Sequence, residues 1–224
     1  MEFPELFEKI VKDFLDRAKK ERKENVFYPS ELPYCIRRNY FLYKNPKEID
    51  LETKKIFESG SIVHSWVRDV LFKGFTEMAL KDFKWEESLI FKGNDFEIHG
   101  RYDDLVAVEL HEKPILLEIK TVRSLKYIKE PKRHHVMQLN FYLTVLKLET
   151  GYIVYIDRTN LQHKIFKLTK DKRLFDEMLK RAEMLRRALK EKKIPIAEAR
   201  LDVTKRWQCR YCPYRLECLE TGEE

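Results

Sequence analysis

Ile115-Leu-Leu-Glu118-Ile-Lys120-Thr121 is a short apolar run broken by an acid and a base. Side chains alternate along a strand, so Glu118 and Lys120 share one face while Ile119 points to the other. With apolar residues around them, the segment reads as a strand buried in a sheet. An ionised pair in such a place costs desolvation energy unless it is partnered, which marks a candidate functional site.

Upstream, Gly100-Arg-Tyr-Asp103-Asp104 lies in another strand-like segment, joined to the first by the turn-like His111-Glu-Lys-Pro114. Two neighbouring strands can therefore set Asp103 beside Glu118. Two carboxylates and an ammonium suit a hard divalent cation. Oxygen ligands select magnesium or manganese, and a lysine can orient a water or steady a phosphate. The alternative is a structural ion pair at a strand end, which a pattern as short as D…ExK does not exclude.

The 224 residues suffice for one large domain with a real core. Hydrophobic residues make up 43% and charged ones 37%, with only 6 glycines, which predicts a folded rather than a disordered chain. No apolar run approaches the roughly 20 residues of a membrane span. Met1-Glu-Phe-Pro-Glu5 lacks the basic and apolar regions of a signal peptide, so the expected location is the cytoplasm. A net charge of +7 and a pI of 9.0 permit polyanion binding without requiring it. Three glutamines against 45 lysines and arginines fit a hyperthermophile.

The cysteines are unevenly placed. Cys209-x2-Cys212-x5-Cys218 closes the chain, while Cys35 stands alone near the start. In a reducing compartment a tight cysteine group reads as thiolate ligands rather than disulfides. Four thiolates can hold tetrahedral zinc or an iron-sulfur cluster.

Apolar periodicity predicts an amphipathic helix over 3–23, and a short helix capped by Ser30 that carries Cys35, Arg37 and Arg38. A further helix is predicted from Asp50 to about Phe75, with His64 beside Gly60-Ser61. A lone histidine on such a helix is more often a packing residue. Lys84–Phe91 and Asp95–Leu110 read as strands joined through Gly93-Asn94. Residues 122–131 form a basic loop, and His134–Glu149 a helix ended by Gly151, with Gln138 and Tyr142 on one face. Tyr152–Asp157 and Leu161–Leu168 form a second hairpin, and Lys170–Lys193 the clearest helix.

In order, Cys35, Gly60-x3-His64, Gly100-Arg-Tyr-Asp103, Glu118-Ile-Lys120, Gln138-x3-Tyr142 and Cys209-x2-Cys212-x5-Cys218 resemble the CRISPR-associated, RecB-like iron-sulfur nucleases, the Cas-four family. The resemblance implies an α/β (α+β) PD-(D/E)xK core, a central mixed sheet flanked by helices, with an iron-sulfur cluster joining the N- and C-terminal segments. It implies a single RecB-like domain over 1–224. Within it, 1–45 is a helical segment with one cluster cysteine, 50–168 the nuclease core, and 170–224 a long helix and cluster-binding tail. His64, Asp103, Glu118 and the Ile119 carbonyl would bind manganese or magnesium. Lys120 would act on the attacking water or the phosphate, and Gln138 and Tyr142 would form the family's QxxxY signature. The spacing Gly100-x2-Asp103 favours Asp103 over Asp104, although a bulge would exchange their roles.

Cys35, Cys209, Cys212 and Cys218 would hold the cluster, more often [4Fe-4S] than [2Fe-2S]. The implied activity is metal-dependent DNA exonuclease action on single strands, 5′ to 3′, with endonuclease activity alongside. The implied setting is prespacer processing in CRISPR adaptation, with the integrase complex as partner and no membrane; oligomeric state stays open. Trp207, Arg210, Tyr211 and Arg215 interleave aromatic and basic groups that can grip a single strand or merely shield the thiolates. Two other readings remain: a stand-alone RecB-type repair nuclease with the same site, and a non-catalytic cysteine-cluster DNA-binding protein.

Overall fold

The computed structural model describes residues 2–16, 22–77, 79–109 and 111–221. In chain order the elements are α1 (Phe3–Leu15), β1 (Val26–Phe27), α2 (Ile36–Lys44), α3 (Leu51–Thr76), β2 (Leu80–Trp85), β3 (Ser88–Lys92), β4 (Glu97–Arg101) and β5 (Asp104–Val108). There follow β6 (Ile115–Val122), α4 (Arg133–Val145), β7 (Thr150–Asp157), β8 (His163–Thr169), α5 (Lys172–Glu191), α6 (Glu198–Leu201), α7 (Trp207–Arg210) and α8 (Arg215–Glu220).

The strand β6 is central. A mixed five-stranded sheet runs β2-β5-β6-β7-β8, with β6 parallel to β7 and the other pairs antiparallel, and a smaller sheet runs β1-β4-β3. Alternation along β6 serves both faces. Leu117 and Ile119 pack with Val63 and Val67 of α3, whereas Leu116 joins the larger core formed with α2, α4 and α5. Each such fully buried aliphatic side chain contributes about 1.5–3 kcal/mol.

The two predicted strands around residues 84–110 are one long hairpin bent across both sheets. Leu80–Trp85 pairs with Asp104–Val108 in the large sheet, and Ser88–Lys92 pairs with Glu97–Arg101 in the small one. At the bend, the Glu86 N–H donates to the Asp103 carbonyl at 2.8 Å and the Tyr102 N–H to the Glu87 carbonyl at 3.3 Å. Glu86 takes φ 50°, and that positive φ lets the strand change sheets. Asp103 therefore sits where a strand leaves the central sheet.

Other expectations need correction. The first helix is described only to Leu15, and residues 17–21 of the predicted span lie outside the described residues. Its apolar side is open to solvent, with Phe3 74% and Phe7 57% exposed. Ser30 does not cap α2; the Ile36 N–H donates instead to Glu198 Oε1 at 3.0 Å, a partner remote in sequence and so invisible to a local rule. The helix after Pro131 stops at Val145, the reversal is made by Lys147 at φ 58°, and Gly151 lies within β7. A Cβ at Gly151 would lie 3.1 Å from the Leu116 carbonyl and 3.1 Å from Leu143 Cδ2. Glycine there serves close packing rather than a helix stop. Helix α3 begins as predicted, with Asp50 Oδ1 accepting the Thr53 N–H at 2.8 Å. No helix among the described residues is long and apolar enough to cross a membrane.

Candidate active site

The ladder between β5 and β6 ends at Asp104–Leu117, yet β6 continues to Val122. The missing partner leaves a gap on that side of the strand from Glu118 onward. Asp103 fills its first rung with a side chain: the Ile119 N–H donates to Asp103 Oδ2 at 2.6 Å. In an extended strand the N–H and C=O of one residue leave on the same side. The Ile119 carbonyl therefore faces the same gap.

The predicted residues converge here. His64 Nδ1 of α3 lies 3.5 Å from Asp103 Oδ1, and Lys120 Nζ lies 2.6 Å from Glu118 Oε1. Helix α4 closes the other side, where Lys120 Nζ donates to Gln138 Oε1 at 3.1 Å. Gln138 Nε2 donates to the Tyr142 hydroxyl at 3.4 Å, and that hydroxyl donates to the Arg101 carbonyl at 3.0 Å. The chain Lys120–Gln138–Tyr142 thus ties the lysine to the hairpin bend. Gly100 makes this possible: a Cβ there would sit 2.6 Å from Tyr142 Cε1.

Glu118 is wholly buried; its Oε1 meets the Lys120 ammonium, and among the described residues its Oε2 has no hydrogen-bond donor. Burial pushes the Glu118 carboxyl up, to about 7, against the pull of the Lys120 charge. Burial pulls Lys120 down, but the charges of Glu118 and Asp103 outweigh it and hold the ammonium above its usual range. Burial lowers His64 as well, yet Asp103 more than offsets it and raises the imidazole. Asp104, 3% exposed, has its carboxyl lifted to about 7 by burial and then by the Asp103 charge.

A buried carboxylate with one oxygen unpartnered, a second carboxylate and an imidazole around one gap form a donor set that fits a hard cation. Among the described residues, no three His, Cys, Asp or Glu groups are drawn together tightly enough to hold an ion as they stand.

The four cysteines line a separate cavity of about 300 Å³, together with Arg38 and Arg215. Burial, and then the neighbouring thiolates, raise Cys209; burial likewise raises Cys212. Such thiols need a metal to displace their protons. The cavity walls are built from residues far apart in the chain, from Cys35 to Leu219. The Cys35 N–H donates to Gln208 Oε1 at 2.8 Å, and Arg181 spans the Leu32 and Tyr34 carbonyls and Glu198. Of the interleaved residues, Arg215 borders this cavity, Arg210 and Tyr211 are exposed, and Trp207 turns toward Tyr34 and His134.

Residues 62–218, from just before His64 through Cys218, match the model of the PD-(D/E)XK nuclease superfamily. The chain belongs to this superfamily. Membership makes it a nuclease and implies dependence on a divalent metal. It is 28% identical over 221 residues to the CRISPR-associated exonuclease Cas4 of Saccharolobus solfataricus, covering 93% of this chain and 98% of the relative. The crystal structure of SSO0001 superposes with a TM-score of 0.62 at 25% identity, covering 97% of this chain and 96% of that one. The alkaline exonuclease LHK-Exo of Laribacter hongkongensis shares the fold, with a TM-score of 0.51 at 15% identity over 75% of this chain and 90% of that one.

Residue-by-residue reading of the sequence missed Tyr34, His134, Gln208 and Glu198. His134 is four residues before Gln138 and so shares its helix face, a spacing that was legible. Gln208 and Glu198 act across long stretches of chain, where no local spacing points to them.

Proposed function

We propose that the protein is a metal-dependent DNA exonuclease of one nuclease domain over 1–224, cutting single strands 5′ to 3′, with endonuclease activity alongside. Its place is in CRISPR adaptation, processing prespacer DNA with the integrase complex. The observation that carries the catalytic part is the buried Glu118, one oxygen unpartnered, beside Asp103, His64 and Lys120 in the gap of the sheet. Similarity to the Cas4 exonuclease over nearly its whole length supports the rest.

Manganese or magnesium would be held by His64, Asp103, Glu118 and the Ile119 carbonyl. When bound, such an ion polarises a phosphodiester and lowers the pKa of water to a reactive range. Lys120 holds a positive charge at the gap and is aimed by Gln138, so it orients the attacking water or steadies the phosphate. Tyr142 fixes Gln138 by spanning to the Arg101 carbonyl. A groove of about 790 Å³ is lined by Tyr28, Arg101, Gln138 and Tyr142, the last two tied to Lys120 through hydrogen bonds.

Cys35, Cys209, Cys212 and Cys218 would hold an iron-sulfur cluster, more often [4Fe-4S] than [2Fe-2S], that staples the chain ends and takes no part in hydrolysis. Arg210, Tyr211, Arg215 and Trp207 contribute to DNA contact.

End-labelled single-stranded DNA incubated with manganese is degraded by the wild type and left intact by Glu118→Ala. Cutting that persists in the variant, or never occurs in the wild type, overturns the catalytic assignment. Strands blocked at one end report polarity. Protein purified without oxygen shows visible absorbance and iron; a colourless protein carrying stoichiometric zinc refutes the cluster.

A further inference from the structure

Beside the lysine lies an aromatic group of which that scheme uses only Trp207. The Tyr34 and His134 rings are 5.0 Å apart, His134 and Trp207 are 5.4 Å apart, and Tyr34 and Trp207 are 6.2 Å apart. These residues come from three distant parts of the chain. Trp207 remains 45% exposed. It borders a groove of about 700 Å³ that is also lined by Lys132, Arg133, His134 and Lys205, with Glu177 and Asp202 opposing them. Arg133 pairs with Glu177 and Lys205 lies 3.7 Å from Asp202, whereas Lys132 has no ion pair among the described residues.

The group is fixed in place. Arg181 donates to the Tyr34 carbonyl at 2.6 Å, and Gln208, next to Trp207, accepts the Cys35 N–H at 2.8 Å. It also adjoins the catalytic gap. His134 sits one turn of α4 before Gln138, ~5.4 Å along the axis, and Gln138 contacts Lys120. The Lys120 charge is felt at both Tyr34 and His134. Burial, followed by Lys132 and Lys120, pushes His134 down to about 4, so its ring is neutral near pH 7 and serves as a flat surface.

We propose that His134 and Trp207, braced by Tyr34, form a stacking subsite for one nucleobase of the bound single strand, adjacent to the phosphate held at Lys120. It rests on the nuclease reading above and adds to it a base-recognising contact. Rigid aromatic faces beside a basic groove bind any base, because every base has a π-face, and confer little sequence preference. Tyr34 precedes Cys35 and Trp207 stands two residues before Cys209, so the thiol site sets the position of both rings. Loss of the cluster therefore weakens strand binding through this subsite.

The test is binding of a fluorescein-labelled 12-nucleotide thymidine strand, without added metal, beside the same strand built entirely of abasic residues. Trp207→Ala weakens binding of the thymidine strand about tenfold, or about 1.4 kcal/mol. It leaves binding of the abasic strand unchanged, and Trp207→Phe restores most of the loss. His134→Leu serves the same comparison should Trp207→Ala melt below the assay temperature. Equal loss on both strands, or loss on neither, overturns the subsite. Failure of the nuclease reading shows separately, as no manganese-dependent cutting by the wild type, and leaves the base dependence of binding intact.

Discussion

Gly100→Ala places a methyl group 2.6 Å from Tyr142 Cε1, with Pro29 Cγ at 3.3 Å and Leu89 Cδ1 at 3.4 Å on its other sides. Carbon atoms settle at ~3.5–4.0 Å, so the tyrosine ring and the strand must part by about 1 Å. Tyr142 is 2% exposed and its hydroxyl is bound to the Arg101 carbonyl, so the ring cannot swing aside cheaply. Overpacking of this kind costs about 1–3 kcal/mol. In a domain of this size each kcal/mol lowers the melting midpoint by about 2–4 °C. The same displacement travels through Gln138 to Lys120, and a misplacement of about 1 Å lowers turnover by about 10²-fold. The assay is single-turnover cutting of single-stranded DNA with manganese, with thermal melting in parallel. Tyr142→Val removes the ring that the methyl group strikes, so in that background Gly100→Ala costs far less and the two changes are not additive. Wild-type turnover and melting in Gly100→Ala, or an equal cost in both backgrounds, would show that the glycine is not there for Tyr142.

Further outcomes follow from other parts of the structure. Glu198→Ala strands the buried Arg181 and removes the acceptor for the Ile36 N–H; breaking such a pair costs about 3–5 kcal/mol, and a melting midpoint unchanged within error refutes that role. His134 has its folded pKa, about 4, below the ordinary 6.5, so the unfolded chain binds the extra proton. Its contribution to stability is complete above pH 6.5 and is lost as pH falls toward 4; His134→Leu flattens that part of the melting-versus-pH curve, and an unaltered slope counts against a buried neutral ring. Gly74→Ala on the exposed side of α3, where an added Cβ meets nothing within 4 Å, stabilises by about 0.5–1 kcal/mol without altering turnover; a lower melting midpoint contradicts the open geometry. Cys212→Ser abolishes visible absorbance and iron binding while Glu118→Ala preserves both, a comparison read from the spectrum alone.

Much of the site could be read before the structure, because its parts are short and local. Glu118 and Lys120 share a strand face by alternation, and Gln138 and Tyr142 share a helix face by the four-residue step. Asp103 at the gap followed from family spacing, since the residues alone could not say where the hairpin bends. The bend depends on Glu86 accepting a positive φ, and nothing in a glutamate announces that. The same limit explains the helix stop at Lys147, where a lysine and not Gly151 takes the left-handed conformation. The remote cap from Glu198 and the Gln208 bond to Cys35 belong to tertiary contacts, which periodicity does not report. The open apolar side of α1 is likewise silent in sequence, since an amphipathic pattern is the same whether or not its face is covered.

The gap itself explains why these residue types occur together. A strand that loses its neighbour midway leaves backbone donors and acceptors unpaired inside the protein, and each must find a substitute. Asp103 supplies one for the Ile119 N–H and is thereby held at the edge of the opening. Burial first, and with it the Asp103 charge, raise the Asp104 and Glu118 carboxyls, so the pocket gathers three acids around Lys120 and His64. In the proposed function a divalent ion would relieve this charge and give the second oxygen of Glu118 a partner. Lys120 would then be free to meet a phosphate, with Gln138 holding its Nζ in place. The acidic opening therefore follows from the split in the sheet, and changes that move the bend, such as Gly100→Ala, act on the proposed chemistry as well as on stability.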